Sequence, residues 1–417
     1  MHVRLAILLS PVLLVLVGCG SSSSGPDAGG RGGDKTVSGL VLDGYGQPLQ
    51  NRTVLIGASS ATTSAAGQFT ITGVATPYDL IIVEPAPAKV ATIYSQLTRT
   101  DPKVLDLGAG AQYSRSATLG GSITGGVSFP APTGTITAVS YGSPEASYGA
   151  YIDSTPYTFD VPWSGPTTTT GAVHGLQWTV DQNGTVSSYL GHAVKPGVAL
   201  TAGVTVSDAD LALTLPSTDA ISATITAPAG HQIFERDVYL GFDDGAYILV
   251  SADGLDAGTL QVPLPSGIGA SALVMVQAAT VDGSSLTSAQ LSHVAPGTGG
   301  VPLSLPVPAL ATAPANGATG VDTTTDLVWT PVNGGIHVLF LSGAASDPTY
   351  VIFSGGTRTR IPDLSAQGLG LPSGHTYDFG LVGIGPYASV DAFAETGVIP
   401  REGFPFQTST LSSFTTR

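Results

Sequence analysis

TVSGLVLDGYGQPLQNRTVLIGASSATTSAAGQFTI, residues 36 to 71, is the stretch whose reading decides the fold. Val37, Gly39 and Val41 alternate with Ser38, Leu40 and Leu42, the period-two pattern of a strand with one face turned inward. Gly46-Gln47-Pro48-Leu49 breaks the run with turn residues, and Val54 and Ile56 open a second strand. Thr63, Gly67, Phe69 and Ile71 give a hairpin with the glycine at its turn. Tyr78, Leu80 and Ile82 then carry the alternation into a strand that faces the same core.

The composition of the whole chain agrees. Gly (55) and Pro (30) are abundant, whereas Glu and Lys, which favour helix surfaces, number only five and four in 417 residues, so the prediction is an all-β protein. The length calls for three or four domains, and 42% hydrophobic residues are enough to build several cores. Apolar residues recurring in short alternating runs argue against disorder throughout. The net charge of −15, and the absence of Lys and Arg between residues 237 and 357, exclude a basic patch there and with it nucleic-acid binding. With Cys19 as the sole cysteine there is no intrachain disulfide, so burial and sheet hydrogen bonds must hold each core.

The segment from 36 to 117 resembles the carboxypeptidase regulatory-like family, a small transthyretin-like β-sandwich. The resemblance rests on the V-x-G-x-V opening, on Asp43 to Leu49, and on the hairpin of Thr63, Gly67, Phe69 and Ile71. It implies a non-catalytic module. Ala66 departs from the pattern, standing where the family carries Asp before the turn glycine. Similar openings recur at Leu119-Gly120-Gly121-Ser122-Ile123-Thr124 and Ile221-Ser222-Ala223-Thr224-Ile225-Thr226, which predicts further sandwiches over 118–216 and 217–308. Within the latter, Val238 to Phe242 and Tyr247 to Val250 flank a hairpin turn at Asp243-Asp244-Gly245-Ala246. Beyond the proline-rich linker from Pro306 to Pro314, residues 309–417 resemble a fibronectin type III domain. Trp329 falls on an early strand, and the segment from Leu371 to Tyr377 resembles that of the tyrosine corner. The expected fold class is therefore all-β, with transthyretin-like, Ig-like and fibronectin III-like sandwiches in series.

The N-terminus speaks of location. Arg4 precedes an apolar run from Leu5 to Val17, too short to span a bilayer but suited to a signal peptide over 1–18. The string Leu16-Val17-Gly18-Cys19 resembles the lipobox of bacterial lipoproteins. That resemblance implies lipidation of Cys19 by acyl chains such as palmitate, and anchoring to the cell envelope. Gly20 after the cysteine is similar to the outer-membrane sorting pattern. Residues 19–35 are Gly- and Ser-rich and read as a flexible tether with an end-to-end distance of roughly 20 Å.

Chemistry-bearing motifs are sparse. GxSxG, HExxH, CxxC and the P-loop do not occur, and Gly267-Ile268-Gly269 stops short of a dinucleotide fingerprint, so no cofactor and no catalytic residue is assigned. The histidines after residue 18, namely His174, His192, His231, His293, His337 and His375, have no ligand-like spacing, so no metal is assigned to them. His174 alternates with Leu176, Trp178 and Val180 and reads as a strand-end histidine beside a core. Asp243, Asp244, Asp253 and Asp256 fit hairpin turns first and calcium ligation second. Tyr157, Phe159, Val161 and Trp163 share one strand face and read as core. Tyr148 and Tyr151 lie in a loop-like context where exposed rings stack against sugars or anchor a protein.

These observations predict a lipid-anchored envelope protein whose non-catalytic sandwiches serve structural, adhesive or protein-binding roles. Its expected contacts are the membrane, through the N-terminal lipid, and an envelope or surface protein or glycan. The alternatives are a carbohydrate-binding lipoprotein using Tyr148 and Tyr151, and a hydrolase whose acids converge only on folding.

Overall fold

Alternation of apolar and polar residues produces strands nearly everywhere in the computed structural model, which describes residues 35–84, 86–108, 113–253, 258–397, 406–408 and 412–417. Strands make up 58% of the structure and helix 3%, so the protein is all-β.

The first sandwich contains β1 (Lys35–Leu42), β2 (Thr53–Ile56), β3 (Ser59–Thr62), β4 (Gln68–Val74), β5 (Tyr78–Glu84), β6 (Val90–Leu97) and β7 (Lys103–Leu105). Its sheets run β4-β1-β7 and β3-β2-β5-β6. Val37, Val41, Val54, Phe69, Ile71, Leu80 and Ile82, the inward positions of the alternation, are all buried between them. Both early turns are closed by a side chain. Asp43 accepts from the backbone N–H of Tyr45 and Gln47, at 2.8 Å each, beside Gly46 at φ 73°. At the second turn Ser64, two residues before Ala66, takes the role of the missing Asp: its hydroxyl accepts from the N–H of Ala66 and Gln68, with Gly67 at φ 70°.

The second sandwich comprises β8 (Arg115–Gly121), β9 (Ile123–Gly125), β10 (Thr135–Gly142), β11 (Ser147–Tyr151), β12 (Tyr157–Trp163), β13 (Thr168–Val180), β14 (Val186–Thr201), β15 (Thr205–Val206) and β16 (Leu211–Leu213). The third has β17 (Ser217–Thr226), β18 (His231–Phe242), β19 (Tyr247–Asp253), β20 (Thr259–Ser266), β21 (Ala270–Thr280), β22 (Leu286–Val294) and β23 (Val301–Ser304). All three share one topology. The opening strand lies between the strand that follows the first hairpin, antiparallel to it, and a late strand, parallel to it: β4-β1-β7, β12-β8-β15 and β20-β17-β23, the second sandwich adding the short pair β9 and β16. The facing sheet pairs two hairpins, β3-β2-β5-β6, β11-β10-β13-β14 and β19-β18-β21-β22. The recurring sequence openings mark the central strand of each copy.

The fourth sandwich differs. It contains β24 (Ala311–Ala313), β25 (Ala318–Val321), β26 (Leu327–Trp329), β27 (Ile336–Ser342), β28 (Thr349–Ser354), β29 (Arg358–Thr359), β30 (Thr376–Ile384), a short helix α1 (Val390–Thr396), β31 (Phe406–Thr408) and β32 (Ser412–Thr416). A three-stranded sheet, β24-β26-β29, faces β28-β27-β30, with β31 and β32 both pairing β30. Trp329 and Tyr377 are buried in its core, as the fibronectin-like pattern predicts. The Tyr377 hydroxyl, however, donates to the carbonyl of Pro348 at 3.0 Å, across to the β27–β28 connection. A tyrosine corner bonds to backbone only a few residues upstream, so this is a different clasp.

The sandwiches follow one another in sequence and are also fused in space. β28 pairs in parallel with β6, from Thr349↔Val90 to Phe353↔Tyr94, and β22 pairs with β31 at Leu286↔Thr408 and Thr287↔Gln407. One continuous sheet thus runs from the third sandwich through the fourth to the first. The chain doubles back, placing its fourth sandwich between the third and the first.

Candidate functional site

Side chains of unusual chemistry collect where the sandwiches meet. At the first–fourth junction, the β6–β28 pairing contributes a ladder of main-chain hydrogen bonds, and aromatic packing reinforces it. Phe353 stacks on Tyr94 with centroids 4.5 Å apart and on Phe393 of α1 at 5.2 Å, and all three rings are buried. Asp391 of α1 accepts from the Thr98 N–H at 2.9 Å, the Thr98 hydroxyl at 2.5 Å and the Arg99 N–H at 3.1 Å. Arg99 answers by donating to the Asp391 carbonyl at 3.1 Å. Beside this seam lies an open cleft of about 650 Å³ whose lining includes Gln96, Asp326, Arg358, Arg360 and Asp363. Asp326 is gripped by both Arg358 and Arg360, which holds its carboxyl below the usual range.

The second–third junction is built differently, by a sheet face laid across a flank. Leu176, Trp178, Val186 and Tyr189 pack into one core with Ile248, Val250, Leu260 and Val262 of β19 and β20, the edge strands on one side of the third sandwich. The Tyr189 hydroxyl donates to the Pro263 carbonyl at 3.0 Å, and the Tyr151 hydroxyl to the Leu249 carbonyl at 3.2 Å. Gly142 allows the close approach: a Cβ there would lie 2.2 Å from the Ala246 nitrogen. His174 meets Asp244 of the β18–β19 turn with Nε2 and Oδ2 2.7 Å apart, and stacks on Phe242 at 3.8 Å. His192 lies 5.9 Å from His174, ring centre to ring centre. Burial, and then the charge of His174, holds the His192 imidazole down at about 4.

Several sequence expectations need correcting here. His174 is mid-strand in β13, not at a strand end, and the face it shares with Leu176 and Trp178 is turned toward the third sandwich rather than toward the core of its own. Periodicity reports that a face is buried, but not by what. Tyr148 and Tyr151 lie on strand β11 instead of a loop. Both are exposed, at 42% and 61%, yet three positions apart on a strand they point to opposite faces. Tyr148 sits opposite Tyr141 and near Phe159, whereas Tyr151 sits opposite Ala138 and near Trp178, so the two rings do not form one stacking platform. Asp244 is occupied by His174 and by the Ala246 N–H, which leaves it a junction anchor. The Asp253 side chain, Asp256 and Cys19 lie outside the described residues. No signal in one sequence marks the β6–β28 seam beyond the mostly apolar, β-favouring run Val90-Ala91-Thr92-Ile93-Tyr94.

Among the described residues no group of three or more His, Cys, Asp or Glu is placed to hold a metal ion, and no helix is long and apolar enough to cross a membrane. No family model and no curated protein matches the chain. Among solved structures, the chain is similar to the Bacillus anthracis TIE protein (8% identity, TM-score 0.16, 65% of this chain and 50% of that one). The chain therefore spans about half the length of that protein. It is also similar to the FN1–FN3 domains of chicken CNTN1 (9%, 0.17, 73% and 100%) and to a putative cell adhesion protein from Parabacteroides distasonis (12%, 0.16, 58% and 99%). At TM-scores this low, none of these likenesses bears on function.

Proposed function

We propose that the chain is a lipid-anchored cell-envelope protein, held to the outer membrane through Cys19, whose sandwiches form one closed, non-catalytic body in structural, adhesive or protein-binding service. The observation that carries this is the parallel β6–β28 pairing, which ties the first sandwich to the fourth. A string of sandwiches joined only by linkers would bend at each linker; here two of the boundaries are crossed by sheet hydrogen bonds and a third by a shared core. Such a body resists shear and presents a broad surface near its anchor rather than a long stalk. The acidic charge keeps that surface from collapsing onto anionic headgroups, and the 19–35 segment supplies slack between anchor and body.

The test is a pair of measurements on cells expressing the full chain. Replacing Cys19→Ser should move the protein from the membrane to the soluble fraction and abolish palmitate labelling. Cross-linking of the anchored protein should then recover a defined envelope protein that the Cys19→Ser variant loses. Unchanged membrane retention contradicts the anchor, and turnover of a substrate by the purified chain contradicts the non-catalytic role.

A further inference from the structure

We propose that the junction between the second and third sandwiches is an acid-sensitive latch, in which protonation of the buried His192, beside His174, releases the second sandwich while the continuous sheet of the other three stays joined. The two imidazoles stand on neighbouring strands, β13 and β14, on the face that meets the third sandwich. They are 5% and 8% exposed, so neither has water to stabilise an added charge. Nδ1 of His174 and Nε2 of His192 are buried without a hydrogen-bond partner. A proton added at His192 Nε2 therefore creates a buried donor with nothing to accept it, beside the apolar ring of Phe242.

The surroundings offer little compensation. From β13 comes His174, whose own charge opposes a second proton. From the β18–β19 turn comes Asp244, already bonded to His174; its charge, like that of Glu145 in the second sandwich, acts on Tyr141. Of the other elements packed against β14, β16 and β20 carry no titratable side chain, and β8 carries only Arg115, which donates to the Gly165 carbonyl at 2.7 Å; Lys195, on β14 itself, bonds the Asp208 carbonyl. β18 contributes Phe242, its charged residues Glu235, Arg236 and Asp237 lying five or more positions earlier along the strand. The junction shares no strand pairing with the β6–β28 and β22–β31 seams, where sheet hydrogen bonds are indifferent to histidine charge.

The sign follows from linkage. Docked, the His192 imidazole is held at about 4; released into water it returns to about 6.5. Between these values the released state binds a proton that the docked state refuses, so docking weakens as pH falls through 6.5 and the loss is complete below 4. At pH 5 the open fraction rises by about thirtyfold over its value at pH 7.5.

Thiol accessibility reads this directly. In the full chain with Cys19→Ser, Val186→Cys places one thiol in the second–third junction, and Val351→Cys places one beside the first–fourth seam. Labelling with dithiodipyridine, normalised to the unfolded chain at the same pH, should accelerate about thirtyfold at position 186 between pH 7.5 and pH 5 and less than about threefold at 351. Adding His192→Gln should abolish the acceleration at 186. In the parent chain, nuclear magnetic resonance should show the His192 imidazole titrating only as the junction opens, which covers the case in which a variant fails to fold. Unchanged labelling at pH 5, an equal acceleration in the His192→Gln background, or His192 titrating near 6.5 with the junction closed would overturn the proposal.

Discussion

Replacing Gly142→Ala tests the closeness of the second–third junction with a single methyl group. The added Cβ would stand 2.2 Å from the Ala246 nitrogen, 2.8 Å from its Cα and 2.6 Å from Asp244 Oδ1. Two of these three atoms are backbone, so no side-chain rotation relieves the contact, and the β18–β19 turn must retreat by about 1 Å to restore van der Waals spacing near 3.5 Å. Overpacking of this kind costs about 1–3 kcal/mol. The retreat also lengthens the 2.7 Å His174–Asp244 contact, which places the expected loss at the upper end, about 3 kcal/mol. Urea unfolding followed by tryptophan fluorescence suits the measurement, because Trp163 and Trp178 both lie in the second sandwich. With a slope of about 1.5 kcal/mol per molar urea, the midpoint of the second-sandwich transition should fall by about 2 M. Gly299→Ala is the control, its Cβ meeting only the Ser222 hydroxyl at 3.4 Å. A Gly142→Ala midpoint within about 0.3 M of the parent would refute the close-contact account.

Three further outcomes are expected. Arg52 bridges Asp106 at 3.0 Å and Glu84 at 3.2 Å, and Asp106 is almost fully buried; Arg52→Gln removes the counter-charge of that carboxylate and should destabilise the first sandwich by about 3 kcal/mol in urea unfolding. Tyr377→Phe removes the bond to the Pro348 carbonyl and should cost about 1 kcal/mol in the same assay, with the fold retained by circular dichroism. On a glycan array, the chain and its Tyr148→Ala/Tyr151→Ala variant should give the same signal, since rings on opposite faces of β11 cannot stack on one sugar chain.

Much of the fold is legible in the sequence because its signals are local. The alternation at Val37 to Leu42, the turn chemistry at Asp43 and Gly46, and the Asp243-to-Ala246 hairpin each act within a few residues, and each element forms where those signals place it. What escapes is the partner of each buried face. Trp178 and Leu176 read as core from their spacing, yet they complete a core shared with β19 and β20, some seventy residues on. The pairing of β28 with β6 joins strands more than 250 residues apart through main-chain groups that every residue carries, so side-chain identity says little about it. The repaired turn at Ala66 shows the opposite case: Ser64, two positions away, carries the same capping chemistry and was visible all along.

The closed arrangement stands or falls on the β6–β28 seam, and a disulfide measures it most directly. Val90 and Thr349 are paired residues at one end of the parallel register, at a strand spacing of about 4.8 Å that falls within disulfide reach. In a chain lacking Cys19, the double substitution Val90→Cys/Thr349→Cys should oxidise to an intrachain disulfide in dilute solution, migrating faster on a non-reducing gel and reverting with reductant. Thiols that stay free under oxidant, or that link only between molecules, would contradict the closed body and leave the first sandwich undocked from the fourth.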